Sequence, residues 1–117
     1  MHEMGITQSI IETAVEAAQE EGGTRINEIR ITIGTLTEIV PDALQFAFEA
    51  LRQGTMAEDA TLIVTQLGAK SRCRECGAEF EHDKFDLTCP ACYSFVCDLL
   101  QGRELRIDSL DIYRDDE

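Results

Sequence analysis

Two Cys-x-x-C pairs, Cys73-Arg-Glu-Cys76 and Cys89-Pro-Ala-Cys92, lie twelve residues apart. A turn of this kind aims two thiolates at one point, and two such turns facing each other make a tetrahedral four-sulfur site suited to Zn²⁺. The spacing also limits how the surrounding chain can fold. A segment of roughly 30 residues is too short to build its own apolar core, so it must fold around the metal. Its halves, CRECGAEF and CPACYSFV, each carry an aromatic downstream of the knuckle, as paired hairpins of a zinc ribbon do. All four positions are sulfur, so no coordination site is left for a catalytic water and zinc hydrolysis is not expected. The same spacing holds iron in rubredoxin-like electron carriers, but this segment has no Trp and few aromatics to shield an iron centre.

The flanking sequence has different periods. Ile6, Ile10, Ala14 and Ala18 recur every fourth residue beside Ile11 and Val15, which predicts an amphipathic helix over 6–18 ending at Gly22-Gly23. In INEIRITIG, Ile29, Ile31 and Ile33 alternate with Arg30 and Thr32, as in a strand with one covered face. Pro41 suits the first position of a second helix, whose Leu44, Ala47, Phe48 and Leu51 share a face and which Gly54 closes. ATLIVTQL, at 60–67, reads as a second strand, and RELRIDSLDIY as a third. In that third strand the apolar phase slips between Ile107 and Leu110. A bulge at Asp108-Ser109 would turn Leu105, Ile107, Leu110 and Ile112 to the helices. The expected fold is α+β: two helices on one face of a three-stranded sheet, with the four-cysteine ribbon inserted between strands two and three. The domains are then 1–69 plus 103–117, a discontinuous body, and 70–102, the ribbon.

Of the 117 residues, 44% are hydrophobic, so the chain can fold, but no apolar run is long enough to span a membrane. The first residues lack a basic stretch followed by an apolar one, so no signal peptide is expected. A cytoplasmic location follows, where spaced cysteines serve as metal ligands more often than as disulfides. Net charge is −13 and is spread along the whole chain. Phosphate binding needs a cationic footprint, so nucleic acid is not an expected partner. No Ser/His/Asp set, phosphate loop or open metal site suggests an enzyme. Cys97 reads as a small buried residue and His82 as a loop residue that could approach the zinc ligands.

The first three residues, Met1-His2-Glu3, offer different chemistry. The Met1 amine, the backbone amide nitrogens of His2 and Glu3 and the His2 imidazole can close fused chelate rings around one ion. Four nitrogens in a plane suit Ni(II) or Cu(II) and suit Zn²⁺ poorly. A histidine at position two is also commonly an ordinary surface residue.

The order MHE, amphipathic helix, CRECGAEF, CPAC and GRELRIDSLDI resembles the HypA/HybF family over nearly the whole chain. These proteins are nickel metallochaperones of [NiFe]-hydrogenase maturation. The resemblance implies a Ni(II) site at Met1, His2 and Glu3 and a structural Zn(II) site at Cys73, Cys76, Cys89 and Cys92. It also implies two partners, a HypB-type GTPase and the hydrogenase large-subunit precursor; some relatives also serve urease. The alternative is a zinc-ribbon adaptor with no nickel role. Two features depart from the family. Tyr93 stands where a Gly is usual after the second knuckle, which would require positive φ of a non-Gly residue. Cys97 matches no family ligand.

Overall fold

The computed structural model describes residues 3–83 and 87–115. Helix α1 spans Glu3–Glu20, strand β1 Arg25–Gly34 and helix α2 Pro41–Leu51. Strands β2 (Thr61–Leu67) and β6 (Leu105–Tyr113) flank β1 in one sheet of order β2-β1-β6. Strands β3 (Ala69–Cys73), β4 (Glu79–His82) and β5 (Cys97–Gln101) form a second sheet of order β4-β3-β5. The class is the expected α+β arrangement of two helices, a three-stranded sheet and an inserted ribbon. The ribbon's own three strands have no counterpart in the apolar pattern. The chain packs as two compact units. One comprises Met1–Thr32, Ile39–Thr65 and Arg106–Glu117; the other comprises Ile33–Glu38 and Gln66–Leu105.

In the first unit the apolar periods become the core. Ile10, Ile11, Ala14 and Ala18 of α1 are buried, as are Leu44, Ala47 and Phe48 of α2, and the two helices pack on each other. Ile26, Ile29 and Ile31 of β1 are fully buried. Ile26 is out of step with the odd-numbered isoleucines, and half-buried Asn27 and Glu28 take up the slip. Thr32 is buried as well, because its hydroxyl donates to the Asp108 carboxylate on β6. Side-chain bonds also fasten α2 and the turn after it: Gln45 Nε2 donates to the Leu62 carbonyl (2.8 Å) and Arg52 Nη1 to that of Ala60 (2.8 Å). Helix α1 starts three residues earlier than its apolar spacing suggested, and Thr7 Oγ1 donates to the Glu3 carbonyl at 2.6 Å. Its C-terminus ends at the paired glycines, with Gly23 N donating to the Ala18 carbonyl at 2.8 Å.

Strand β6 follows the expected phase slip in part. Ile107, Leu110 and Ile112 are half-buried, and Asp108 and Ser109 between them are both exposed. Leu105, expected on the same face, is 43% exposed. In the second unit the backbone passes itself at Gly34 and Gly102. Leu36 N donates to the Gly102 carbonyl and Gly34 N to that of Glu104, both at 2.8 Å. A Cβ on Gly34 would lie 2.1 Å from the Gly102 carbonyl carbon and oxygen.

Two phenylalanines two residues apart on α2 test this core. Phe48 is 1% exposed and Phe46 77%. Phe48→Ala should lower unfolding free energy by about 3–5 kcal/mol, and Phe46→Ala by less than about 0.5 kcal/mol, in urea denaturation followed by circular dichroism. Equal losses would contradict the core described.

Candidate metal centre

Residue type and hydrogen bonding together build two matching turns. Cys73 N donates to the Ala78 carbonyl (2.9 Å), and Gly77 N donates back to the Cys73 carbonyl (3.0 Å). In the second turn Cys89 N donates to the Ser94 carbonyl (2.9 Å), and Tyr93 N to the Cys89 carbonyl (2.8 Å). Residue five after the first cysteine of each pair therefore closes the loop, and residue four must turn left-handed. Gly77 does so at φ 77° without strain, and Tyr93 does so at φ 63° with a side chain attached. The positive φ expected of Tyr93 is present, and the second turn keeps the geometry of the first.

The turns bring the four sulfurs of Cys73, Cys76, Cys89 and Cys92 within 4.8 Å of one another. Cys73 Sγ lies 3.5 Å from Cys92 Sγ, and Cys76 Sγ 3.6 Å from Cys89 Sγ. Four sulfurs at zinc's bond length define a tetrahedron with edges of about 3.8 Å. The observed contacts lie near that edge and far from a disulfide bond, so the donor set fits Zn²⁺.

The electrostatics match a cation site. The Cys73 thiol is lowered to about 6, first by the Cys76 backbone N–H and further by that of Glu75. Cys89 is lowered in the same way by the N–H groups of Cys92 and Ala91. At Cys92 the Ser94 N–H favours the thiolate, but the sulfurs of Cys73, Cys76 and Cys89 and the loss of solvent outweigh it and push the thiol up to about 12. Cys76 is raised too: the Ala78 N–H is offset by the Cys89 sulfur and desolvation. The backbone thus favours two thiolates, and the full set of four requires a positive ion between them.

The ribbon has little else at its centre. Among the described residues of 70–102, only Ser71, Cys73, Cys89 and Gly102 are buried. Exposed ion pairs link its strands: Arg72 and Lys70 to Glu79, and Arg74 to Asp98. Such solvent-screened pairs stabilise little, whereas structural zinc contributes on the order of 10 kcal/mol.

His82 is not among the clustered ligands. Its Nε2 lies 2.7 Å from Ser71 Oγ and its Nδ1 2.7 Å from the Asp83 carbonyl. A carbonyl only accepts, so Nδ1 carries a proton; in the neutral ring Nε2 then accepts from the Ser71 hydroxyl. Cys97 is half-buried, 3.9 Å from the Ser94 carbonyl. Met1 and His2 lie outside the described residues, whereas Glu3 is the first residue of α1. Sequence reading missed the Ala78 and Ser94 carbonyls that close the turns, although their equal offset from Cys73 and Cys89 was there to be read.

Two outcomes follow. One zinc should co-purify per chain, and Cys76→Ser should abolish it and lose the ribbon's amide protection while the helical unit stays folded, as native mass spectrometry and hydrogen exchange can show. Because the Cys73 and Cys89 thiols are depressed in the fold, their thiolates stabilise it above the ordinary thiol range. That contribution fades as pH falls, for Cys73 through about 6, so zinc should be released on acidification. Separately, Tyr93→Gly should stabilise the zinc-loaded ribbon by about 1 kcal/mol, since it removes the left-handed penalty; a loss of stability would show that Tyr93 is held by contacts rather than strained.

The family model described as "Hydrogenase/urease nickel incorporation, metallochaperone, hypA" matches residues 1–112. The hydrogenase maturation factor HypA of Geotalea uraniireducens is 42% identical over 112 residues, covering 96% of this chain and 99% of its own length. That of Chlorobaculum tepidum is 40% identical with the same coverage. The solution structure of the Ni metallochaperone HypA from Helicobacter pylori matches with a TM-score of 0.70 at 26% identity, covering 98% of this chain and 100% of that one. Likeness on this scale extends well beyond the cysteine turns to both helices and both sheets, and the chain belongs to the HypA family.

Proposed function

We propose that this protein is a nickel metallochaperone that binds Ni(II) at Met1, His2 and Glu3 and delivers it during [NiFe]-hydrogenase maturation, with the zinc ribbon as a structural and docking element. The observation that carries this reading is the match to a nickel-incorporation family over residues 1–112, a range that includes the terminus. The start of α1 at Glu3 supports it. The first N–H groups of a helix have no carbonyl four residues back to bond, so the Glu3 amide can lose its proton to a metal without breaking a helical bond. An amine, two deprotonated amides and an imidazole carry two negative charges, which neutralise Ni(II). The electropositive start of the helix favours the amide anions.

Each residue then has a defined task. The Met1 amine and His2 imidazole are the ligands that leave most easily, because protons compete for both. The Glu3 carboxylate would serve as a further ligand or accept a hydrogen bond from the imidazole. Transfer proceeds by stepwise ligand exchange to a receiving site, with no bond of a substrate made or broken. The expected partners are a HypB-type GTPase and the hydrogenase large-subunit precursor, in the cytoplasm. The division of labour follows the chain: the body of 1–69 and 103–117 carries nickel, and 70–102 carries zinc.

Nickel titration of the tag-free, zinc-loaded protein tests the site. Adding two residues before Met1, or changing His2→Ala, should each weaken nickel binding on the order of 100-fold, because each opens a fused chelate ring. Zinc content and melting temperature should stay unchanged. If the extended form binds nickel as tightly as the parent, the terminal chelate is wrong. If the parent binds none, the protein is a zinc-ribbon adaptor.

A further inference from the structure

Cys97 has no part in the zinc cluster, yet its place in the ribbon is specific. It lies directly opposite Cys73 in the antiparallel pairing of β3 with β5. Two backbone bonds fix the kind of pair this is. Cys73 N donates to the Ala78 carbonyl, away from β5, and the next residue, Arg74, donates to the Val96 carbonyl at 2.9 Å. Cys73 and Cys97 therefore form a non-hydrogen-bonded pair, in which facing Cα atoms are about 4.5 Å apart and both side chains lie on one face. Disulfides form over Cα separations of roughly 4.4–6.8 Å, so the two can be bridged without moving the strands.

We propose that Cys97 is a redox-sensing thiol that forms a disulfide with Cys73 under peroxide, withdraws that ligand and releases the zinc. Cys97 is the one thiol of the five outside the sulfur cluster, and it is half-exposed, so an oxidant reaches it without displacing the metal. Hydrogen peroxide transfers one oxygen to the Cys97 thiol, giving a sulfenic acid and water. The Cys73 thiolate then attacks the Cys97 sulfur, the S–S bond forms, and hydroxide leaves and takes a proton from solvent. Two thiols and one peroxide become one disulfide and two waters, with both electrons drawn from sulfur. Three sulfurs remain for the metal, and the ribbon loses the ion that its buried centre depends on.

The test uses full-length protein shown beforehand to carry zinc. Hydrogen peroxide is added, zinc release is followed with a zinc-binding dye, and a non-reducing digest is mapped by mass spectrometry. The expected result is a linked peptide pair joining Cys73 to Cys97, formed in step with zinc release and reversed by thioredoxin. Cys97→Ser and Cys97→Ala should bind zinc like the parent but release it about tenfold more slowly, with recovery no longer complete, since the ligands then oxidise past the reversible stage. A first linkage between Cys73 and Cys92 or Cys76 and Cys89, or equal release rates in parent and variants, would overturn the proposal. Loss of zinc binding in both variants before oxidation would also overturn it, since Cys97 would then be supporting the site itself.

Discussion

Four sulfurs confined within 4.8 Å cannot all be thiolates unless a cation sits among them. The second unit is organised around this conflict. Backbone N–H groups stabilise negative charge at Cys73 and Cys89, the buried member of each turn, while the exposed partners Cys76 and Cys92 are pushed the other way. The metal is therefore the interaction that lets the ribbon exist as a folded unit. The rest of it is a thin layer of short strands joined by exposed ion pairs, which could not hold it closed.

The first unit is stabilised by a different term. Its isoleucines, leucines and Phe48 are removed from water by two helices and a sheet, and no ion is needed to keep them there. A metal that is held and a metal that is passed on make opposite demands on a protein. A closed four-sulfur cage in a unit with few buried apolar side chains suits the first. The terminal chelate proposed for nickel, attached to an independent core, would suit the second.

What could be read in the sequence divides along the same line. Helix α2, strand β1 and strand β2 were legible because apolar burial leaves a period, 3.6 or 2, in the residues that do it. The zinc ligands were legible because two-residue spacing is a geometric requirement of the turn. The strands β3, β4 and β5 were not. Lys70 and Arg72 alternate with buried Ala69, Ser71 and Cys73, which are small or polar, and β4 buries none of its residues, so no apolar rhythm records these strands. The early start of α1 was hidden because Glu3 and Met4 precede the first apolar repeat at Ile6. The exposure of Leu105 was hidden because the strand's phase says nothing about where its cover ends. The pairing of His82 with Ser71 depends on the register of β3 with β4, which only the fold reveals.

Tyr93 and Gly34 show two different ways in which a position constrains evolution. At Tyr93 the difficulty is local: a φ of 63° is uncomfortable for a side chain, but nothing in the backbone around it forbids one. Gly34 has an ordinary φ of −94°, so any residue could adopt its conformation. What forbids a side chain is another stretch of main chain, Gly102 and Arg103, where the Cβ would be. Main chain is common to all twenty residues, so no change of side chain at 102 or 103 makes room. Drift at Tyr93 can be absorbed one substitution at a time, but drift at Gly34 would require the backbone itself to be rerouted.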